Sequence, residues 1–215
     1  MAILSVQAGN DGAGNLNISA GRTFISNNLT LRAGDGSGGG TAATVDLTNA
    51  PDFFGAAGAG TSPTNFTLRQ DAALADGGIP EALWFGNGVA GMSLTLQSDN
   101  SSVTVDTPSK VNGANLNISA ADGVTINGAL TLTALALAGD SDGDNSGNVV
   151  LGGAVDTGGG AFSSTGVGFD TTGVPISTGG GNLTVNHSGT VLIASSLSSQ
   201  GGKCALGGGN RKQRG

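Results

Sequence analysis

The stretch that decides the fold is Asn115-Leu-Asn-Ile-Ser-Ala120, which repeats residues 15–20 letter for letter. A shorter relative, Asn-Leu-Thr-Val-Asn, occupies residues 182–186. In every copy two apolar residues alternate with polar ones, and a period of two places both apolar side chains on one face of a β-strand. A short glycine-containing turn and a further pair of apolar residues follow each copy. The sequence therefore predicts many short strands separated by tight turns.

Strands of this length require a particular kind of packing. A strand of about three to five residues cannot bury its apolar face alone, and the turns are too short to contain crossover helices. If the chain coils, each strand stacks on its equivalent in the next coil, and the apolar side chains form one continuous core. The predicted fold class is therefore all-β, a parallel β-helix (β-solenoid) over residues 1–200, with about 20 residues in each coil.

Two regions depart from the repeat. Residues 51–91 contain a single run with helical character, Arg69–Asp76, and five of the eight aromatic residues: Phe53, Phe54, Phe66, Trp84 and Phe85. We expect an aromatic-rich insertion that packs against the flank of the solenoid, with a ligand-binding patch as the alternative. Residues 201–215 lose the alternation, and we expect them to form a disordered basic tail.

The composition excludes several classes of protein. Glycine accounts for 41 of 215 residues without a period of three, which excludes collagen, and the single Glu excludes a coiled coil. One cysteine cannot form a disulfide framework, and no apolar run approaches the roughly 18 residues of a transmembrane helix. The first residues lack the charged region and long apolar stretch of a signal peptide, so we expect a fragment of a longer protein.

Charge is distributed unevenly along the chain. Residues 1–202 contain all 15 acidic side chains and four of the eight basic ones, a net charge of −11, whereas the last 13 residues carry +4. An acidic body repels phosphate groups, so nucleic acid is not expected as a partner.

Residues suited to catalysis are scarce. His187 is the only histidine, Cys204 is the only cysteine, and no serine or cysteine near His187 in the sequence would form a nucleophile–base pair with it. We expect His187 to point outward from its strand, and we expect the chain not to be an enzyme.

The densest acidic segment is Gly139–Gly147, in which Asp140, Asp142 and Asp144 alternate as the carboxylates of calcium loops do. Asn145 and Leu151 stand where an EF-hand loop requires Gly and Glu, which excludes that motif. Two interpretations remain open: a looser surface calcium site, which would make calcium the single expected cofactor, or a solvated acidic turn.

The repeat units resemble those of a known protein family. Gly-Asn-Leu-Asn-Ile-Ser-Ala at 14–20, Gly-Val-Thr-Ile-Asn-Gly-Ala-Leu-Thr-Leu at 123–132 and Gly-Gly-Asn-Leu-Thr-Val-Asn-His-Ser-Gly-Thr-Val at 180–191 are similar to repeats of filamentous-haemagglutinin-type exoproteins of the two-partner secretion class, which resemble autotransporter passengers. The resemblance extends over about residues 10–200. It implies a right-handed β-helix and a structural or adhesive role as part of a large bacterial exoprotein, secreted or exposed at the cell surface. The implied partners are a surface glycan or protein of a host or neighbouring cell and, through the parent protein, an outer-membrane transporter.

Two other functions are compatible with a solenoid. One is a β-helical carbohydrate-active enzyme or polysaccharide-binding module, which would need clustered acids and sugar-stacking aromatic residues on one face. The other is a flat threonine-rich binding face of the ice-binding kind, which Thr131 and Thr133 suggest without recurring in successive coils.

Overall fold

The computed structural model describes residues 3–8, 14–17, 28–34, 43–46, 65–75, 93–106 and 111–213. These residues form four parallel sheets, with the strands numbered along the chain. The largest has nine strands in the order β1 (Ile3–Ala8), β3 (Asn28–Ala33), β5 (Asn65–Gln70), β7 (Ser93–Ser98), β9 (Asn115–Ala120), β12 (Ala134–Ala138), β15 (Phe162–Gly166), β18 (Leu183–His187) and β21 (Cys204–Gly207).

The other sheets contain shorter strands. A seven-stranded sheet has the order β22 (Asn210–Gln213), β19 (Thr190–Ile193), β16 (Phe169–Asp170), β13 (Asn148–Leu151), β10 (Gly123–Ile126), β8 (Val103–Val105) and β6 (Leu74–Ala75). A four-stranded sheet contains β11 (Leu130–Thr131), β14 (Val155–Asp156), β17 (Ile176–Ser177) and β20 (Leu197–Ser198), and a two-stranded sheet pairs β2 (Leu16–Asn17) with β4 (Val45–Asp46). The prediction of an all-β chain with parallel strands is confirmed for these residues. They contain no helix that could cross a membrane.

The connections follow a fixed rotation. From β9 onward the chain visits the nine-stranded, the seven-stranded and the four-stranded sheet in turn, and it repeats this circuit up to β22. Each strand pairs in parallel register with its equivalent one circuit later, so that Phe162, Leu183 and Cys204 align at intervals of 21 residues. Buried apolar residues of all three sheets belong to one hydrophobic core cluster.

Apolar side chains fill that interior in columns. One column of the nine-stranded sheet contains Leu29, Phe66, Leu94, Leu116, Leu135, Phe162 and Leu183, each at most 1 % exposed. Burial of each such side chain contributes about 1.5–3 kcal/mol. Because each strand provides only two or three of these side chains, the core depends on the stacking of successive strands.

A recurring polar turn leads back into the nine-stranded sheet. The hydroxyl groups of Thr157, Thr178 and Ser199 each donate a hydrogen bond to the carbonyl oxygen three residues later, at 2.6, 2.5 and 2.7 Å. The two threonines are fully buried. The 21-residue spacing of Thr-Gly-Gly-Gly, Thr-Gly-Gly-Gly and Ser-Gln-Gly-Gly shows that the same turn forms in three successive circuits.

The insertion expected over residues 51–91 does not lie wholly outside the sheets. Within residues 51–91 the structure describes 65–75, which form β5 and β6 of two different sheets, and Phe66 lies in the core with 1 % exposure. The helical character expected for Arg69–Asp76 is wrong over 69–75, because Arg69 and Gln70 continue β5 in register with β3. The Gln70 side chain fixes the following turn, since it accepts a hydrogen bond from Val45 N and donates one to Ala73 O. Phe53, Phe54, Trp84 and Phe85 lie outside the described residues.

The disorder expected for the C-terminal segment 201–215 is also wrong as far as the structure describes it, to residue 213. Strand β21 extends the nine-stranded sheet beside β18, and β22 extends the seven-stranded sheet beside β19. The reason is that Ser199–Gly202 reproduces the preceding Thr178–Gly181 turn and directs the chain into the next circuit. The boundary expected at residue 200 therefore falls inside a continuous set of sheets.

Candidate functional site

The outer face of the nine-stranded sheet displays polar side chains in register. Its middle outward column contains Ser5, Thr30, Thr67, Thr95 and Asn117 on five neighbouring strands. All five are partly or fully exposed. Neighbouring strands lie about 4.8 Å apart, so these hydroxyl and amide groups form a regular array. The threonines aligned in this column are Thr30, Thr67 and Thr95, whereas Thr131 pairs with Asp156.

Two neighbouring strands present the same three outward residues. Strand β3 reads Asn-Leu-Thr-Leu-Arg over 28–32, and β5 reads Asn-Phe-Thr-Leu-Arg over 65–69. The register places Asn28 beside Asn65, Thr30 beside Thr67 and Arg32 beside Arg69. We call this set of six residues the Asn–Thr–Arg grid. At the arginine positions, the strands on either side have glutamine, Gln7 in β1 and Gln97 in β7.

A single carboxylate, from Asp99, joins the two arginines. Nε of Arg69 donates to both Asp99 oxygens, at 2.9 and 2.7 Å, and the amide of Gln97 donates to Oδ1 at 2.7 Å. Arg32 approaches only through Nη2, 3.8 Å from Asp99 Oδ2. The Asp99 side chain is 6 % exposed, whereas those of Arg32 and Arg69 are 21 % and 34 % exposed. The guanidinium groups therefore form the accessible part of this cluster.

The sequence contains only part of the signal for this grid. The two Asn-x-Thr-x-Arg segments are separated by 37 residues, well beyond the repeat length of about 20, so their spacing alone does not indicate that they pair. Asp99 follows the next strand of the sheet, and only that strand's register brings it to the arginines.

His187 lies in the core, and the prediction of an outward side chain is wrong. The residue is 3 % exposed, its Nε2 lies 2.9 Å from the Ser164 hydroxyl oxygen, and its ring centroid lies 5.3 Å from that of Phe169. Ser164 belongs to β15, beside β18, and comes 23 residues earlier in the sequence. The alternation of β18 indicates this burial, since Leu183, Val185 and His187 occupy every second position and so lie on the same, buried face of the strand.

A glycine makes room for this imidazole. His187 pairs in register with Gly166, where an added Cβ would lie 3.3 Å from Cε1 and Nδ1 of the imidazole. The ring can therefore lie over the backbone of the neighbouring strand and reach Ser164. Its Nδ1 is buried and has no hydrogen-bond partner, and burial lowers the pKa of His187 to about 4.

The Ser164–His187 pair has the spacing of a nucleophile and its general base but not the access. Ser164 is 0 % exposed, so its hydroxyl cannot meet a substrate without opening of the core. It occupies a column whose neighbours are Leu137 and Val185, which indicates that it is a core residue with a hydrogen-bonded partner.

The structure does bring Asp140, Asp142 and Asp144 together. One carboxylate oxygen from each lies within 4.8 Å of the others, Asp142 and Asp144 are exposed, and Oδ1 of Asp140 is buried without a hydrogen-bond partner. Ser146, through its hydroxyl and its backbone N–H, lowers the pKa of Asp144. Carboxylate oxygens are the ligands that calcium prefers. They also suit a solvated turn, so the geometry is compatible with both interpretations of the sequence.

No protein family, curated protein or solved structure matches this chain.

Calorimetric titration distinguishes the two interpretations of the Asp140–Asp144 turn. A calcium site predicts binding heat on addition of calcium up to the millimolar range, and this heat should disappear in Asp142→Asn, which removes one of the three carboxylates. The exposed Asp156→Asn, which carries the same charge change on β14, is the matched control. If calcium produces no heat in the native chain, the turn is a solvated acidic loop.

Proposed function

We propose that this chain is a right-handed parallel β-helix and that it serves as a structural and adhesive segment of a large bacterial exoprotein, secreted or exposed at the cell surface. Its partners would be a glycan or protein on a host or neighbouring cell. An outer-membrane transporter would act on the parent protein. The proposal combines the fold with the resemblance of the repeat units to filamentous-haemagglutinin-type proteins.

The observation that carries the proposal is the fixed rotation of the chain through three parallel sheets. Pairing of each strand with its equivalent one circuit later is the pattern that a coiled chain produces. A stack of nine strands about 4.8 Å apart extends roughly 40 Å, so the fold builds length from small repeating units. This is what a stalk requires.

The surface supports the adhesive part of the proposal. A parallel sheet with a fixed register holds its outward side chains at regular spacing, and this sheet presents Asn, Thr, Arg and Gln rather than a mixture of lysine and glutamate. Hydroxyl, amide and guanidinium groups are donors that hydrogen-bond to polar surface ligands. The Ser164–His187 pair, by contrast, is enclosed in the core.

Cell adhesion is the direct test of this function. Beads coated with the folded chain are expected to adhere to bacterial or epithelial cells more than beads coated with serum albumin, and heat-denatured chain is the matched control. An outer-membrane transporter gene beside the coding sequence would support the secretion route. Adhesion equal to that of albumin on both cell types would contradict the adhesive role.

A further inference from the structure

We propose that the Asn–Thr–Arg grid binds a carboxylate group of a linear acidic polysaccharide. Arg32 and Arg69 would hold the carboxylate, and the adjacent threonine and asparagine side chains would contact the sugar hydroxyls. This inference rests on the proposed adhesive function and specifies the ligand class for one part of the surface.

The first argument is the pairing of like charges. Arg32 and Arg69 lie directly beside each other on neighbouring strands, and like charges in this arrangement destabilise a sheet. Glutamine at the same position of β1 and β7 shows that the fold does not need a positive charge there. Asp99 offsets this cost at Arg69, which donates two hydrogen bonds to it, but lies 3.8 Å from Arg32, so a second anion beside Arg32 would offset the remainder.

The second argument is the incomplete use of the donors. Arg69 contacts Asp99 through Nε, so the terminal Nη groups, which carry most of its N–H donors, are not used in that ion pair. Nε of Arg32 is buried and has no hydrogen-bond partner, and its nearest contact with Asp99 is 3.8 Å. Arg32 and Arg69, whose side chains are 21 % and 34 % exposed, therefore keep N–H donors that no hydrogen bond to Asp99 uses.

Two acidic side chains near the arginines limit the electrostatic attraction for an anionic ligand. Asp99 already shares its charge between the two arginines, and Asp71 is buried beyond the end of β5, where its carboxylate contacts Gly34. Two arginines and two aspartates give no net charge, and the net charge of −11 over residues 1–202 opposes a polyanion, so recognition depends on directed hydrogen bonds to the carboxylate. We therefore expect binding that prefers the planar carboxylate, because two parallel N–H groups of a guanidinium match its two oxygens.

The neighbouring columns are suited to the rest of such a ligand. Thr30 and Thr67 present hydroxyls beside the arginines, and Asn65 donates a hydrogen bond of 2.5 Å to Asn28, which orients both amides along the sheet. A saccharide chain laid across β3 and β5 would meet hydroxyl and amide groups at the strand spacing of about 4.8 Å.

The test uses the folded chain and three polymers of defined chemistry. Binding to alginate, which carries only carboxylates, is measured by calorimetry beside dextran, which is neutral, and dextran sulfate. Arg32→Gln and Arg69→Gln introduce the residue that β1 and β7 have at this register position. Arg32→Gln leaves both hydrogen bonds from Arg69 to Asp99 in place, so it is the variant expected to retain the stability of the sheet. Each substitution is expected to weaken alginate binding about tenfold or more, the amount expected from the loss of a hydrogen bond to a charged group. Lys203→Gln makes the same charge change at an exposed residue preceding β21 and should have no effect.

Three results would overturn the proposal: no binding to alginate, equal binding to dextran or dextran sulfate, or equal weakening by Lys203→Gln. Circular dichroism of each variant separates a loss of contact from a loss of fold. The bead assay separates this proposal from the broader one. If the native chain adheres to cells but does not bind alginate, the adhesive function stands and the carboxylate assignment fails, whereas failure of adhesion contradicts the function on which the assignment rests.

Discussion

Acidification from pH 8 to pH 5 is expected to lower the free energy of unfolding by about 2 kcal/mol through His187 alone, and by about 3 kcal/mol at pH 4. Burial lowers the pKa of this imidazole from 6.5 to about 4 in the folded chain. The unfolded chain therefore takes up a proton at a higher pH than the folded chain. The stabilising effect is complete above pH 6.5, decreases as the pH falls towards 4, and is constant below that.

The structural reason is that, among the described residues, no acidic side chain forms an ion pair with the ring. The imidazole contacts Ser164 and Phe169, and its Nδ1 has no acceptor, so protonation would place an unpaired charge inside the core. An unpaired buried charge is among the least favourable changes that a core can undergo.

Urea denaturation at a series of pH values measures this effect, and His187→Gln is the control because its amide can bond to Ser164 without titrating. The difference between the two stability curves removes the contribution of the carboxylates, which the two proteins share. If the curves remain parallel between pH 8 and pH 4, the buried, uncharged state of His187 is contradicted.

Substitution of Gly160 by alanine is expected to destabilise the chain by about 3 kcal/mol. A Cβ on Gly160 would lie far inside van der Waals contact with the backbone carbonyl oxygen of Thr133, in the preceding circuit. That oxygen belongs to the backbone and cannot rotate away as a side chain can. The stacked circuits would have to separate locally, which disturbs hydrogen bonds on both sides of the turn.

The neighbouring Gly158 supplies a control within the same turn. Its φ is +56° and the nearest atom to an added Cβ is 3.7 Å away, so Gly158→Ala should cost only about 1 kcal/mol, the strain of a left-handed backbone. Thermal and urea unfolding of both variants give the comparison. Equal losses of stability would show that backbone conformation, and not close approach of the circuits, is what Gly160 provides.

Several strands could be predicted from the sequence because their signal is local. Alternation at Leu116 and Ile118, or at Leu183 and Val185, identifies the buried face from a few neighbouring residues. The same alternation assigns His187 to the buried face, against the general expectation that a polar residue is exposed. Ser199–Gly202 illustrates the opposite case. Its polar composition is typical of a disordered segment, but it forms the same hydrogen-bonded turn as Thr178–Gly181, 21 residues earlier.

The candidate sites could be predicted only in part, because some of their residues come together only through the pairing of strands that are distant in the sequence. Asp140, Asp142 and Asp144 are neighbours in the sequence, so their proximity could be expected from spacing. Arg32, Arg69 and Asp99 are separated by 37 and 30 residues and meet because three strands pair in parallel.

The sequence by itself determined the strand period, the apolar face of each strand and the all-β class, since these follow from residue type and spacing of two. The tertiary structure alone decided which strands become neighbours, and with them the Ser164–His187 contact and the Asn–Thr–Arg grid. The physical reason is that turn length sets the stacking register, and the intervals between successive strands of the nine-stranded sheet are too unequal for alternation to specify which residues meet.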